Sequence, residues 1–251
     1  MEFAGKTILI TGSTRGIGAA AAELFLQRGG SVILHGRSQA GVDAAVARLS
    51  AQHSNRVRGM AADLADRAHC RSLAQKVGAL DILVNCGGIF RDAPIAETSL
   101  AIWDETIAVN VTASWVLSQE LLPVLRQRRG AIVNVGSDAA MLGYATCVAY
   151  CASKGAIVGL TRALAIETAP HVRVLCVCPG PTDTDMMRQS VTTAPDEAQA
   201  QLQWASYTTL ERVAAPREIG EAILMAASPR ATFMTGSIIM ADGGATAGKR
   251  V

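Results

Sequence analysis

Short apolar runs alternate with longer stretches of helical character along the chain. Thr7–Thr11, Ser31–His35, Val57–Ala62, Asp81–Asn85, Ala131–Gly136, Val172–Val177 and Ser237–Met240 read as strands, being short and rich in apolar residues. Between them, Ile17–Arg28, Ala40–Gln52, Ala65–Val77, a short and a long helix within Ser99–Gln127, and Ala149–Glu167 read as helices. Gly29-Gly30 stops the first helix, and Pro216-Arg217-Glu218 opens a last one with proline in the first turn, where its missing N–H costs nothing. Strands alternating with helices are the pattern of βαβ units. The expected fold is α/β: a doubly wound parallel sheet of about seven strands with helices on both faces. No linker, low-complexity block or repeat divides residues 1–251, which read as one domain.

The turn after the first strand, Thr11-Gly12-Ser13-Thr14-Arg15-Gly16-Ile17-Gly18, carries the first chemical signal. Glycines between a strand and a helix let backbone approach a pyrophosphate, and the helix N-terminus offers free N–H groups and a positive dipole end. The spacing G-x-x-x-G-x-G is a variant of the dinucleotide fingerprint, and it makes the expected sheet Rossmann-type. After the second strand, an acid would bind a free ribose 2′-hydroxyl and an arginine a 2′-phosphate. The chain reads Leu34-His35-Gly36-Arg37-Ser38, with no acid, and Arg15 lies in the glycine turn. A guanidinium matches phosphate with a fork of donors, so NADP(H) is favoured and NAD(H) is the alternative.

The second signal runs from Ser137 to Lys154, beginning where the fifth strand stops and ending inside a helix. Tyr150 and Lys154 are four residues apart and share a helix face. An ammonium beside a phenol favours the phenolate, drawing a tyrosine down from about 10 towards working pH. Such a tyrosine can give a proton to a carbonyl oxygen or take one from an alcohol. Ser137 is placed to hydrogen-bond the same oxygen. Taken alone, a Tyr/Lys pair at this spacing is a common helical coincidence.

With the glycine turn, Asp63-Leu64, Asn85-Cys86-Gly87-Gly88, Asn110, Ser137, Tyr150, Lys154, and Pro179-Gly180 followed by Thr182 and Thr184, the chain resembles the short-chain dehydrogenases/reductases over essentially its whole length. The resemblance implies one dinucleotide-binding and catalytic domain that moves a hydride between a nicotinamide cofactor and a carbonyl or alcohol. It implies that Ser137 orients the substrate oxygen and Tyr150 is the general acid/base. Lys154 tunes Tyr150 and holds the nicotinamide ribose, while Asn110, on the long helix, holds a water that extends the proton path. Asp63 accepts from the adenine amino group with Leu64 beside the ring, and Asn85 and Gly87 line the adenosine side. Thr182 and Thr184 bind the carboxamide and phosphates. Two residues depart from the family pattern: Cys86 replaces an amide, which puts the local backbone network in question, and Gly136 stands where serine is frequent. The length and layout are similar to those of 3-oxoacyl-acyl-carrier-protein reductases. The resemblance further implies a homotetramer or dimer, built on the long helices and the seventh-strand end.

Composition narrows the alternatives. A net charge of +2 gives no electrostatic case for nucleic acid or an anionic membrane. No apolar run reaches the roughly 18–20 residues of a membrane span. Met1–Lys6 has no signal-peptide pattern, so cytoplasm is the expected compartment. The six cysteines, Cys70, Cys86, Cys147, Cys151, Cys176 and Cys178, include no C-x-x-C unit, and with four scattered histidines no metal site is expected. Cys176 and Cys178 share one strand face, which reads as core; Cys147 and Cys151 flank Tyr150, and small-residue packing is their simplest reading. The stretch 182–209, with Met186, Met187, Trp204 and Tyr207, is expected to leave the domain as a substrate loop and lid. Arg126, Arg128 and Arg129 end the long helix, where the helix dipole accounts for them and an acidic acyl carrier protein is a second reading. A dinucleotide sensor without catalysis is the reading from another class; it would have no need of Asn110, Ser137, Tyr150 and Lys154 together.

Overall fold

The computed structural model describes residues 1–53, 55–192 and 196–248. Seven parallel strands, β1 (Thr7–Ile10), β2 (Ser31–Gly36), β3 (Val57–Ala61), β4 (Ile82–Asn85), β5 (Ala131–Val135), β6 (Arg173–Pro179) and β7 (Ile238–Ala241), form one sheet in the order β3-β2-β1-β4-β5-β6-β7. Side chains alternate across each strand, and both faces are apolar because both are covered. Ile8, Ile10, Val84 and Val133 face the helices α1 (Gly16–Gln27), α2 (Gln39–His53) and α9 (Pro216–Ala227). Leu9, Leu83 and Ile132 face α3 (Arg67–Val77), α5 (Ala113–Arg128) and α6 (Val148–Thr168). Each fully buried Leu or Ile of this kind contributes roughly 1.5–3 kcal/mol.

The expected elements are present with ends shifted by a residue or two. α3 starts at Arg67 rather than Ala65, because the Asp66 carboxylate accepts the N–H groups of Ala68 and His69 and so caps the helix there. β6 runs through Pro179, beyond the expected end at Val177, and pairs with β7 to Ala241. The long helical stretch divides into α4 (Leu100–Ile107) and α5, joined by a single π-helical turn, Ala108–Thr112. Asn110 therefore sits on that wide turn and not on the long helix.

Strand order reverses between β1 and β4, opening a crevice at the strands' carboxyl ends, where ligands bind in such sheets. The register Ile10↔Val84 brings the glycine turn after β1 against Cys86-Gly87-Gly88 after β4. β5 delivers Ser137 to the same edge. Beyond β6, α7 (Asp185–Thr192) and α8 (Glu197–Ser206) leave the sheet and return over that edge; of the expected excursion, residues 193–195 lie outside the described residues. No helix among the described residues is long and apolar enough to cross a membrane.

Candidate active site

A cavity of about 1100 Å³ runs along the carboxyl edge of the sheet. On one side are Gly12, Thr14, Arg15, Gly16, Ile17, Gly18, Arg37, Asp63, Leu64 and Gly87; on the other are Ser137, Tyr150, Lys154, Pro179, Gly180, Thr182 and Thr184. Three residues expected in the site turn away from it. The Ser13 side chain is fully buried, donating to the Ile10 carbonyl at 2.7 Å and accepting the His35 N–H at 2.9 Å. Asn85, expected on the adenosine side, points into the interior and donates to Asn134 Oδ1 at 2.9 Å and to Ser118 Oγ at 3.3 Å. Asn110 is 2% exposed and clamps the Ile89 backbone, accepting its N–H at 2.8 Å and donating to its C=O at 3.0 Å, with a further bond to Ser153 Oγ. These three hold the walls rather than line them.

Gly12 shows why the turn needs glycine. Its φ is +64°, and a Cβ there would lie 2.7 Å from Gly87 Cα. The two loops therefore touch backbone to backbone. The N-terminus of α1 carries no side-chain cap from Arg15, so its first N–H groups are left for a ligand. Uncapped donors at a helix's positive end, beside a glycine cradle, fit the pyrophosphate of a dinucleotide. Asp63 and Leu64 lie beyond it on the side of β3. Arg37 is exposed at the cavity rim after β2, with no acid between it and the strand. Arg15 reaches the same rim but pairs with Asp185 of α7 at 3.2 Å, both side chains more than half exposed, a contact worth little by itself.

His35, at the end of β2, was passed over in the sequence. It is 2% exposed; its Nδ1 accepts the Gly12 N–H at 3.2 Å, and its Nε2 lies 3.1 Å from the Ala62 carbonyl. The first contact needs a lone pair on Nδ1, so the ring is neutral and donates from Nε2. Burial lowers its pKa from 6.5 to about 4, against the opposing pull of the Ala62 carbonyl and Asp63. One imidazole thus ties the glycine turn to the residue that precedes Asp63. A lone polar residue inside an apolar strand was the only sign of it.

Cys86 leaves the local network intact, because Thr11 supplies it: Thr11 Oγ1 accepts the N–H groups of Cys86 at 3.0 Å and Gly87 at 2.9 Å. Burial pushes the Cys86 thiol up to about 11, so it stays protonated and unreactive. Gly136 has a packing reason: a Cβ there would meet Cys178 Sγ at 2.6 Å and Cys176 Sγ at 2.9 Å, and both cysteines are fully buried.

On the opposite wall, Tyr150 and Lys154 lie on one face of α6, with Lys154 Nζ 5.6 Å from the Tyr150 ring centroid. Lys154 is 7% exposed and donates to the Val135 carbonyl at 3.0 Å, which fixes it at the end of β5. Phe90 packs edge-on against Tyr150 with ring centroids 5.0 Å apart, holding the phenol in the cavity. Lys154 and Asn110 both border Gly88, where an added Cβ would lie 3.8 Å from Nζ and 3.2 Å from Oδ1. Ser137 opens a short 3₁₀ turn, Asp138–Ala140. Above the wall, Met186, Met187, Trp204 and Tyr207 line the cavity from α7, α8 and the residue after it. Trp204 and Tyr144 each meet the Tyr207 ring edge-on, at 5.6 and 6.0 Å. Arg126, Arg128 and Arg129 sit just before β5 begins, at the opposite end of that strand from Ser137, and do not line the cavity.

A family model described as Enoyl-(Acyl carrier protein) reductase matches residues 12–246. The 3-oxoacyl-acyl-carrier-protein reductase of Vibrio harveyi is 34% identical over 97% of this chain and 98% of its own. A solved structure described as a short chain dehydrogenase/reductase family protein superimposes with a TM-score of 0.90 at 35% identity, covering 99% of this chain and 100% of that one. A Beutenbergia cavernae structure, provisionally described as an NAD(P) dependent gluconate 5-dehydrogenase with NADP bound at low occupancy, gives 0.90 at 33% identity and covers 98% of each chain.

Proposed function

The chain belongs to the short-chain dehydrogenase/reductase family and is an NAD(P)-dependent oxidoreductase, and on that premise we propose that it moves a hydride between NADP(H) and a carbonyl or alcohol group of a small molecule, with Tyr150 as general acid/base. The observation that carries this is the pairing of two walls in one cavity. An uncapped helix N-terminus behind a glycine cradle faces a phenol, a buried ammonium and a serine hydroxyl. When bound, the nicotinamide supplies or accepts the hydride. Tyr150 gives a proton to the reacting oxygen in reduction and takes one in oxidation. Lys154, beside the phenol, is read as the partner of the ribose hydroxyls, and Ser137 as the group that orients the reacting oxygen. Asn110, its amide hydrogens spent on the Ile89 carbonyl and Ser153, is read as holding the wall across Gly88 from Lys154, so its part in a water path would be limited to its remaining acceptor sites.

NADP(H) is favoured because Arg37 follows directly on β2 where an acid would mark NAD(H), and stands at the cavity rim for a 2′-phosphate; NAD(H) is the alternative. α7 and α8 are read as a lid that excludes water from the reacting atoms. The name of the Vibrio harveyi relative puts 3-oxoacyl thioesters among the substrates to try, beside simple ketones, quinones and keto-sugars. Tyr150→Phe tests the reading. It should bind cofactor normally and turn over roughly a hundredfold to ten-thousandfold more slowly, the usual span of a general acid/base. Unchanged turnover would remove Tyr150 from the mechanism.

A further inference from the structure

The cavity wall holds a carboxylate that hydride transfer does not call for. Asp138 follows Ser137 directly, is 6% exposed and lines the cavity. Its Oδ1 accepts the Ser137 hydroxyl at 2.9 Å and the Ala139 N–H at 2.8 Å, and its Oδ2 accepts the Tyr144 hydroxyl at 2.8 Å. An ionised carboxylate only accepts, so the single hydrogen of the Ser137 hydroxyl is turned towards Asp138. One of the two lone pairs on Ser137 Oγ takes the Ala139 N–H at 3.1 Å. What remains for the cavity is a lone pair, whereas a carbonyl oxygen needs a donor. Ser137 is thus held away from the reacting oxygen by its neighbour.

Asp138 itself has room for another donor. Oδ2 receives one hydrogen bond among the described residues, and a carboxylate oxygen takes two. Burial lifts Asp138 above the ordinary carboxylate range in spite of bonds from Tyr144, Ser137 and Ala139, and Asp242 beyond β7 adds repulsion. With one side of Oδ2 open and Asp138 on the cavity wall, a hydrogen-bond donor arriving from the cavity has an acceptor to meet. A substrate ammonium would meet Lys154 in the same cavity, which favours a neutral donor, and a hydroxyl is the smallest of these.

We propose that Asp138 and Tyr144 form a subsite for a hydroxyl on the carbon next to the reacting carbonyl, and that filling it releases the Ser137 hydroxyl to the reacting oxygen. The two oxygens of an α-hydroxy ketone stand on adjacent carbons, a spacing that suits two side chains already joined by one hydrogen bond. In the oxidative direction the same subsite takes vicinal diols. A 3-oxoacyl thioester offers no such hydroxyl. The proposal rests on the functional reading above, in which Ser137 bonds the reacting oxygen.

The test compares hydroxyacetone with its isostere butanone, using the full-length enzyme and its reduced nicotinamide cofactor. Hydroxyacetone should be preferred in kcat/KM by roughly tenfold to a hundredfold, the span for one hydrogen bond to a charged group. Asp138→Asn keeps the side-chain shape but replaces Oδ2 with a donor, and it should bring the two ketones level. Asp138→Ala removes the hold on Ser137 as well and should raise butanone turnover. Calorimetric titration of both ketones into the enzyme saturated with oxidised cofactor, which has no hydride to give a carbonyl, should show the same preference and the same loss of it, with the absorbance of reduced nicotinamide checking that the alcohol of hydroxyacetone is not oxidised. A folding defect would lower both ketones together, so the ratio is what is read. Equal kcat/KM in the unmodified enzyme, or a preference that survives both substitutions, overturns the subsite alone. If neither ketone binds or is reduced, the subsite is overturned, while the functional reading stands or falls separately on Tyr150→Phe with a substrate that is turned over.

Discussion

Replacing His35 by glutamine should flatten part of the protein's stability profile below neutral pH. The ring is neutral in the fold because Nδ1 accepts the Gly12 N–H, and burial lowers its pKa from 6.5 to about 4. In the unfolded chain the imidazole is solvated and takes a proton as pH falls through 6.5. Between those two values the unfolded chain binds a proton that the folded chain does not, so stability drops as pH falls and the loss is complete at about 4. At roughly 1.4 kcal/mol per pH unit, this one side chain removes about 3 kcal/mol. Glutamine does not titrate and keeps an amide able to reach one of the two backbone partners. His35→Gln should therefore be less stable than the parent at neutral pH, because one buried backbone group loses its partner at roughly 1–3 kcal/mol. The difference should then move by about 3 kcal/mol in favour of the glutamine protein on going from about pH 7 to about pH 4, closing or reversing the gap. Urea unfolding of both proteins across that range measures it, and taking the difference cancels the carboxylates common to both. A gap that stays constant would mean that His35 takes up its proton equally in the folded and unfolded chain, and burial and the bond from Gly12 would no longer hold the ring neutral below pH 6.5.

Two further outcomes follow from the rim and the outer helices. Arg37→Ala should weaken NADPH by roughly tenfold to a hundredfold and NADH far less, since a guanidinium–phosphate bond acts on the 2′-phosphate only; equal losses in fluorescence titrations would end the case for NADP. Trp103 on α4, Trp115 on α5 and Ile166 on α6 are 37%, 41% and 84% exposed, which fits faces covered by further copies of the chain. Sedimentation should return two or four chains, with Trp115→Glu shifting the population to smaller species; a monomer in both proteins would refute this.

The sheet was legible because burial on both faces writes the same apolar run into every strand, and strand–helix alternation admits few topologies. The glycine turn and the Tyr150/Lys154 pair were legible because their chemistry depends on local spacing: one turn of backbone, one turn of helix. Ser13, Asn85 and Asn110 sit inside the same motifs, and nothing in the spacing tells which side chain faces ligand and which faces core. Ser13 is in the glycine turn yet closes on the Ile10 carbonyl. Asn85 ends its strand yet faces Asn134, directly across the sheet in the register of β4 and β5. Asn110 lies on a π turn whose partner, the Ile89 backbone, is 21 residues away. Such contacts exist only once the strands are ordered.

The residues that aim the chemistry share this character. His35 reaches Gly12 across 23 positions, joining neighbouring strands at the edge where the cofactor would lie. Asp138 is the opposite case, next to Ser137 in sequence and still unread, since a carboxylate just past a strand end is by default a solvated turn residue. Only the fold reveals that it is buried, bonded by three donors and facing the cavity. Reacting groups repeat from one family member to the next because the reaction repeats. A buried carboxyl beside the reacting serine costs free energy that the reaction does not require. Its presence on the cavity wall is best explained by something that enters the cavity and bonds it, which is why substrate choice in this chain is sought at Asp138 rather than at Tyr150.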